Sequence, residues 1–205
     1  DHERFLIDRL NDQRGGVAAV RAELADDGCA VLPGFLSPLG LRELLGEARE
    51  RAPRAFFAEK KEANVHLGDP DPALPATHPR NRFLPRTNGF VRSDEWDEST
   101  ASRRLYYWPP LMRFLADCLG KEALHIYDDP VSNMIVNVQR TGQEFNWHFD
   151  TNEFTMLLQA ADDGGQFEYV PNLRAPGDEC DDDVNAVIDG DRSRVHQLDL
   201  TPGDL

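Results

Sequence analysis

The sequence predicts an α+β fold, mainly antiparallel β, with helices first and the sheets after them. Two observations carry this reading. Before residue 122, apolar residues recur three and four apart, as one face of a helix requires. After it, short β-prone runs alternate with tight-turn signals, the pattern of an antiparallel sandwich or barrel. At 205 residues the chain suits one domain over 1–205, with helical support and a lid loop in 1–122 and a β core in 123–205.

Each element has a local reason. Gly16 to Asp27 puts Val17, Val20 and Leu24 on one helix face, and Gly28 ends the helix. Cys29 to Leu32 reads as a short strand. Ser37 and Pro38 offer an N-cap and a first-turn proline to a second helix through Leu41, Leu44, Leu45 and Ala48. Five prolines and no periodicity from Gly68 to Pro85 make a long loop, a length often used for lids. Arg80, Arg82 and Arg86 sit in it or just after it. Pro109-Pro110 opens a third helix, which Gly120 closes.

In the second half the expected strands are 123–127, 134–140, 144–150, 154–161, 166–170 and 195–200. Thr141-Gly142 and Asp163-Gly164-Gly165 read as hairpin turns. Residues 176–191 read as an acidic solvated loop.

Composition narrows the partners. Lys and Arg number 22 against 37 Asp and Glu, a formal net charge of −15, which argues against a phosphate-backbone partner. No apolar run approaches the ~20 residues of a membrane span, and no signal-peptide pattern is visible. Cys29, Cys118 and Cys180 are far apart and odd in number, which reads as reduced thiols in a cytoplasmic protein.

The chemistry concentrates in Asn146-Trp147-His148-Phe149-Asp150. On a strand, residues i and i+2 share a face, so His148 and Asp150 project together. They supply two ligands of a 2-His-1-carboxylate triad, the set that holds Fe(II) and leaves three positions open for co-substrate and O2. A His and an Asp that merely hydrogen-bond on a sheet are the plainer alternative.

Around that pair the sequence resembles a family. The stretches His148-Phe-Asp-Thr-Asn-Glu-Phe-Thr155, Gly164-Gly-Gln-Phe-Glu-Tyr-Val-Pro-Asn-Leu-Arg174 and Asp189-Gly-Asp-Arg192 are similar to the Fe(II)/2-oxoglutarate-dependent oxygenases, in the branch of free-amino-acid halogenases and hydroxylases. The resemblance covers 137–205 well and the helical half loosely. It implies a double-stranded β-helix (cupin-like jelly roll), Fe(II) with 2-oxoglutarate and O2, and a substrate that is an amino acid or a similar small molecule. Halogenating members have Gly at the carboxylate position. Asp150 stands there in this chain, so the implied reaction is hydroxylation coupled to decarboxylation of 2-oxoglutarate to succinate.

The resemblance also assigns supporting residues. The second His ligand and a 2-oxoglutarate-binding Arg are expected beyond Leu205, because Thr201-Pro-Gly-Asp-Leu205 reads as the turn just ahead of them. His196 precedes that turn with no Arg after it, and reads as an outward-facing strand residue. Asn137, across the hairpin from His148, is expected at the co-substrate or in solvent. Arg82 and Arg86 are the candidates to hold a substrate carboxylate. Val131 and Phe145 fall where lysine-acting members place polar groups, so the expected substrate side chain is less cationic than lysine. Thr151 and Asn152 are expected to touch substrate. Trp147, Phe149, Phe154, Phe167 and Tyr169 are expected as barrel core. A non-catalytic cupin-like binding protein is the reading from another class, and a halogenase is opposed by Asp150.

Overall fold

A computed structural model describes residues 13–161 and 165–205. Helix α1 (Gln13–Asp27) ends where the Gly28 N–H reaches the Leu24 carbonyl at 3.0 Å. Helix α2 (Pro38–Arg51) starts as its sequence requires, with the Ser37 side chain accepting from the Gly40 N–H at 3.1 Å. Helix α3 (Ala101–Tyr106) has no counterpart in the sequence reading. Thr100 caps it, and the Glu47 carboxylate of α2 accepts from the N–H groups of Ala101 and Ser102 at its positive end. Helix α4 (Pro109–Leu119) runs from its paired prolines to Gly120.

These helices bury the core. Val20 of α1, Leu44 of α2, Leu105 of α3, and Leu111 and Phe114 of α4 close around Leu32 and Phe35. Met156, Leu158 and Leu205 pack against this cluster from the second half. Fully burying each such side chain contributes roughly 1.5–3 kcal/mol.

The sheets are small and antiparallel. Strands β1 (Phe56–Phe57), β4 (Gly89–Val91) and β5 (Val136–Val138) form one, in the order β1-β4-β5, with Phe90 opposite both Phe56 and Asn137. The Phe57 ring packs on the bare backbone of Gly89: a Cβ there would lie 2.6 Å from the ring and oblige it to move. Strands β2 (Glu62–Ala63) and β3 (Leu84–Pro85) pair across the proline-rich loop. Strands β6 (Phe167–Tyr169) and β7 (His196–Leu198) pair near the chain's end.

Several sequence expectations are corrected. Helix outweighs strand, and among the described residues no barrel is closed. Residues 123–127, 144–150 and 154–161 are not strands, apart from a single bridge at Phe145. Their backbone groups go elsewhere: Phe149 N–H donates to the Val65 carbonyl, Asn146 N–H to Pro85, and Gln159 N–H to Asp204. Residues 176–191 are not all loop. Helix α5 (Asp181–Ile188) lies within them, burying Val184 and Val187 one turn apart under a first turn of three aspartates. The aromatic residues expected in the core are not fully buried among the described residues: Trp147, Phe149, Phe154 and Tyr169 are half-buried and Phe167 is exposed. The Asp163-Gly164 turn falls outside the described residues.

The terminal Thr201–Leu205 stretch is a structural tie. Leu32 and Leu205 exchange backbone hydrogen bonds, and Leu36 N–H donates to the Gly203 carbonyl at 2.9 Å. Gly203 has φ +99°, a conformation that side chains resist. The buried Asp204 carboxylate accepts from the N–H of Gly34 at 2.6 Å and from the N–H and hydroxyl of Thr201 at 2.7 and 2.9 Å.

No helix among the described residues is long and apolar enough to cross a membrane.

Candidate metal centre

The segment 144–150 is held between the two ends of the proline-rich loop. At one end Phe149 N–H donates to Val65 at 2.7 Å. At the other, Asn146 N–H donates to Pro85 at 3.3 Å, and Phe145 bridges Arg86. That clamp replaces the expected sheet neighbour and fixes where His148 and Asp150 point.

The two side chains do converge. His148 Nε2 lies 3.3 Å from Asp150 Oδ1. The ring nitrogen Nδ1 faces the Asn146 carbonyl at 2.7 Å. A carbonyl only accepts, so Nδ1 carries the proton, and in the neutral ring the lone pair lies on Nε2, beside the carboxylate. With the ring protonated, Nε2–H donates to Asp150 and holds its carboxyl below the usual range, against the effect of burial, and the Thr155 hydroxyl bonded to Oδ2 adds to it; with the ring neutral, Nε2 instead presents its lone pair.

Phe145 covers the imidazole, its ring stacked on that of His148 with centroids 3.7 Å apart. The Arg86 guanidinium stands 4.6 Å from the Phe145 ring. Among the described residues Arg86 has no carboxylate partner. It is therefore a half-buried cation beside the pair with its donors uncommitted.

Other sequence candidates are placed differently. Arg82 does not join the pair: it donates to Asn185 Oδ1 of α5 at 2.8 Å and pairs at 2.5 Å with Asp189, the residue that caps the C-terminal end of that helix. Val131 lies in a turn held to Ser93, its carbonyl accepting at 2.9 Å. Thr151 and Asn152 are exposed after Asp150, and Asn152 donates to Thr155 at 3.4 Å. His196 lies 3.4 Å from Asp27 and 3.3 Å from the Tyr169 hydroxyl, so it ties β7 to the end of α1. There burial, with the bond to Asp27, pushes the Tyr169 phenol well above its usual value.

Asn137 is exposed on β5 and accepts from Asn88 Nδ2 at 3.2 Å. Sequence reasoning missed Asn88, which is buried with its Oδ1 unpartnered. It also missed Thr155, although that residue closes the motif around His148.

Among the described residues no third His, Cys, Asp or Glu completes a metal-holding group. No protein-family model matches the chain, and a search of curated proteins finds no match.

Proposed function

We propose that the protein is a non-haem Fe(II)/2-oxoglutarate-dependent hydroxylase of a free amino acid or a similarly small molecule, built on a double-stranded β-helix. The observation that carries this reading is the His148–Asp150 pair. Its 3.3 Å separation is close to the ~3 Å between two adjacent ligands that each stand ~2.1 Å from one metal ion. The imidazole also has the right tautomer, because Asn146 fixes the proton on Nδ1 and leaves Nε2 to the metal.

Iron, when bound with 2-oxoglutarate and O2, supplies the oxidising power for C–H hydroxylation. The chain's own residues do the positioning. Thr155 holds one oxygen of Asp150 and leaves the other turned to His148. Phe145 shields the imidazole face from water. Arg86 offers a fork of N–H donors to a carboxylate of the substrate, and Asn137 offers its amide to the co-substrate. Asp150 occupies the position that a halide would need, which favours hydroxylation over halogenation.

A cupin-like protein that binds without catalysis is the second reading, and the lack of a third ligand among the described residues favours it. Turnover separates the two. The full-length protein, given Fe(II), 2-oxoglutarate and a panel of free amino acids in air, is expected to release succinate and add one oxygen atom to one amino acid, with no chlorinated product when chloride is present. Succinate release that is absent, or unchanged in His148→Ala and Asp150→Ala, contradicts the hydroxylase.

A further inference from the structure

We propose, resting on the reading of His148 and Asp150 as metal ligands, that Arg174 and Arg192 are positioning residues for that pair. Each lays its guanidinium on one of the two aromatic side chains that flank His148.

Residues 146–150 belong to no strand, so no ladder of backbone bonds sets their course. The N–H groups of Asn146 and Phe149 are held by Pro85 and Val65, and side chains must do much of the rest. The Arg174 Cζ stands 3.7 Å from the centroid of the Phe149 ring, the distance of a guanidinium in contact with an aromatic face. Phe149 is the residue between His148 and Asp150, so its backbone sets how the two side chains meet. The His66 ring, 5.7 Å away, is a second neighbour of the same ring. Just before His148, Trp147 has the Arg192 Cζ at 5.5 Å from its ring, within the ~6 Å over which a cation is attracted to an aromatic face.

Both guanidinium groups are aimed by carboxylates. Arg174 pairs with Glu179 at 3.1 Å across a tight turn, in which Ala175 and Asp178 exchange backbone hydrogen bonds at 3.1 and 2.9 Å. Arg192 pairs with Glu168 of β6, and the same carboxylate oxygen accepts from Gln197 of β7 at 2.8 Å. Ion pairs as exposed as these contribute little to stability by themselves. Their consequence is orientation: each holds a planar guanidinium where a ring lies, and a lysine ammonium on its flexible stem does not reproduce that. The two arginines also close two of the sequence stretches that carry the family resemblance, and the fold brings both onto the third, around His148.

The test compares Arg174→Met, Arg174→Lys and Arg192→Met with Arg194→Met in the full-length protein. Arg194 is the control, because its guanidinium is bound instead to Asp183 of α5 at 2.9 Å and to the Asn172 carbonyl at 3.3 Å. Two readouts are taken. Nitrogen NMR of the iron-free protein at about pH 8, where neutral imidazole predominates, reports the His148 tautomer, its signals assigned by their loss in His148→Ala. Anaerobic competition with a chelator reports Fe(II) affinity. Wild type and Arg194→Met are expected to keep the proton on Nδ1 and to bind iron within about twofold of each other. Arg174→Met and Arg192→Met are expected to mix the two tautomers and to weaken Fe(II) binding by about three- to tenfold. Arg174→Lys is expected to behave like Arg174→Met, since it keeps the charge and loses the planar face. Variants that keep the Nδ1 tautomer and bind iron as tightly as wild type overturn the proposal, as do losses that Arg194→Met reproduces or that Arg174→Lys rescues in full. Tautomer mixing in the two Met variants of a protein that binds no iron supports the positioning role and overturns the metal reading alone.

Discussion

The ring of Phe145 lies almost parallel to the imidazole of His148, with the planes 8° apart and the centroids separated by 3.7 Å. The contact leaves His148 little freedom to turn about its side-chain bonds. Together with the Asn146 carbonyl it presets the direction of Nε2 before any metal arrives. Phe145→Ala removes the stack and keeps both metal-binding side chains. An aromatic pair of this kind contributes ~0.5–1.5 kcal/mol, so Fe(II) affinity is expected to fall by about three- to tenfold. Anaerobic competition with a chelator of known affinity measures it.

The two arginines nominated together from sequence are expected to behave differently. Arg86 is uncommitted beside Phe145, and Arg82 is bonded to α5. Arg86→Ala is expected to raise the substrate KM by at least about tenfold, as loss of a charge-assisted bond of ~1.5–3 kcal/mol requires. Arg82→Ala is expected to leave that KM within about twofold. The partly exposed Arg82–Asp189 pair contributes at most ~1 kcal/mol to stability, and the loss is expected as faster proteolysis in 68–85. Steady-state kinetics and a timed protease digest separate the two effects.

Asn137 and Asn88 form a donor–acceptor relay from a buried position to an exposed one. Asn137→Ala is expected to raise the KM for 2-oxoglutarate by about tenfold, the value of one hydrogen bond of ~1–1.5 kcal/mol, with kcat little changed. Asn88→Ala, which only orients Asn137, is expected to move the same constant by about threefold in the same direction. Equal or opposite effects on kcat count against the relay.

Asp204 sets an acid limit on stability. Burial alone would raise its pKa, but the N–H groups of Gly34 and Thr201 and the Thr201 hydroxyl together hold it below the usual carboxylate value. A depressed folded pKa contributes stability that is present above the unfolded value of ~3.9 and is lost as pH falls through the folded value. Denaturant titrations are therefore expected to show stability declining below about pH 4. Asp204→Asn is expected to cost ~1–3 kcal/mol at pH 7, because its amide sets donor against donor at Thr201, and the two proteins converge in acid.

Much of the helical half was legible because its signals are local. Ser37-Pro38 and Pro109-Pro110 start helices for reasons contained within one turn, and Gly28 and Gly120 end them similarly. The pairing of His148 with Asp150 was legible too, since side chains two apart in extended backbone fall on one side. Helix α5 was hidden by its own charge: the aspartates that stabilise its first turn read as a solvated loop. What needed three dimensions was the allocation of backbone bonds. Residues 144–150 have strand-like sequence, yet their N–H groups bond to Val65 and Pro85, and no local pattern reveals which partner a strand former will find. The same holds for Arg82, whose attachment to α5 spans more than a hundred residues of sequence.

The central claim is that His148 and Asp150 hold Fe(II) for 2-oxoglutarate. Anaerobic titration of the full-length protein with Fe(II) and then 2-oxoglutarate, followed by visible absorption, tests it most directly. A weak charge-transfer band is expected that saturates at one equivalent of iron and is lost in His148→Ala and in Asp150→Ala. A full-length protein that shows no such band, or shows it undiminished in both variants, contradicts the assignment.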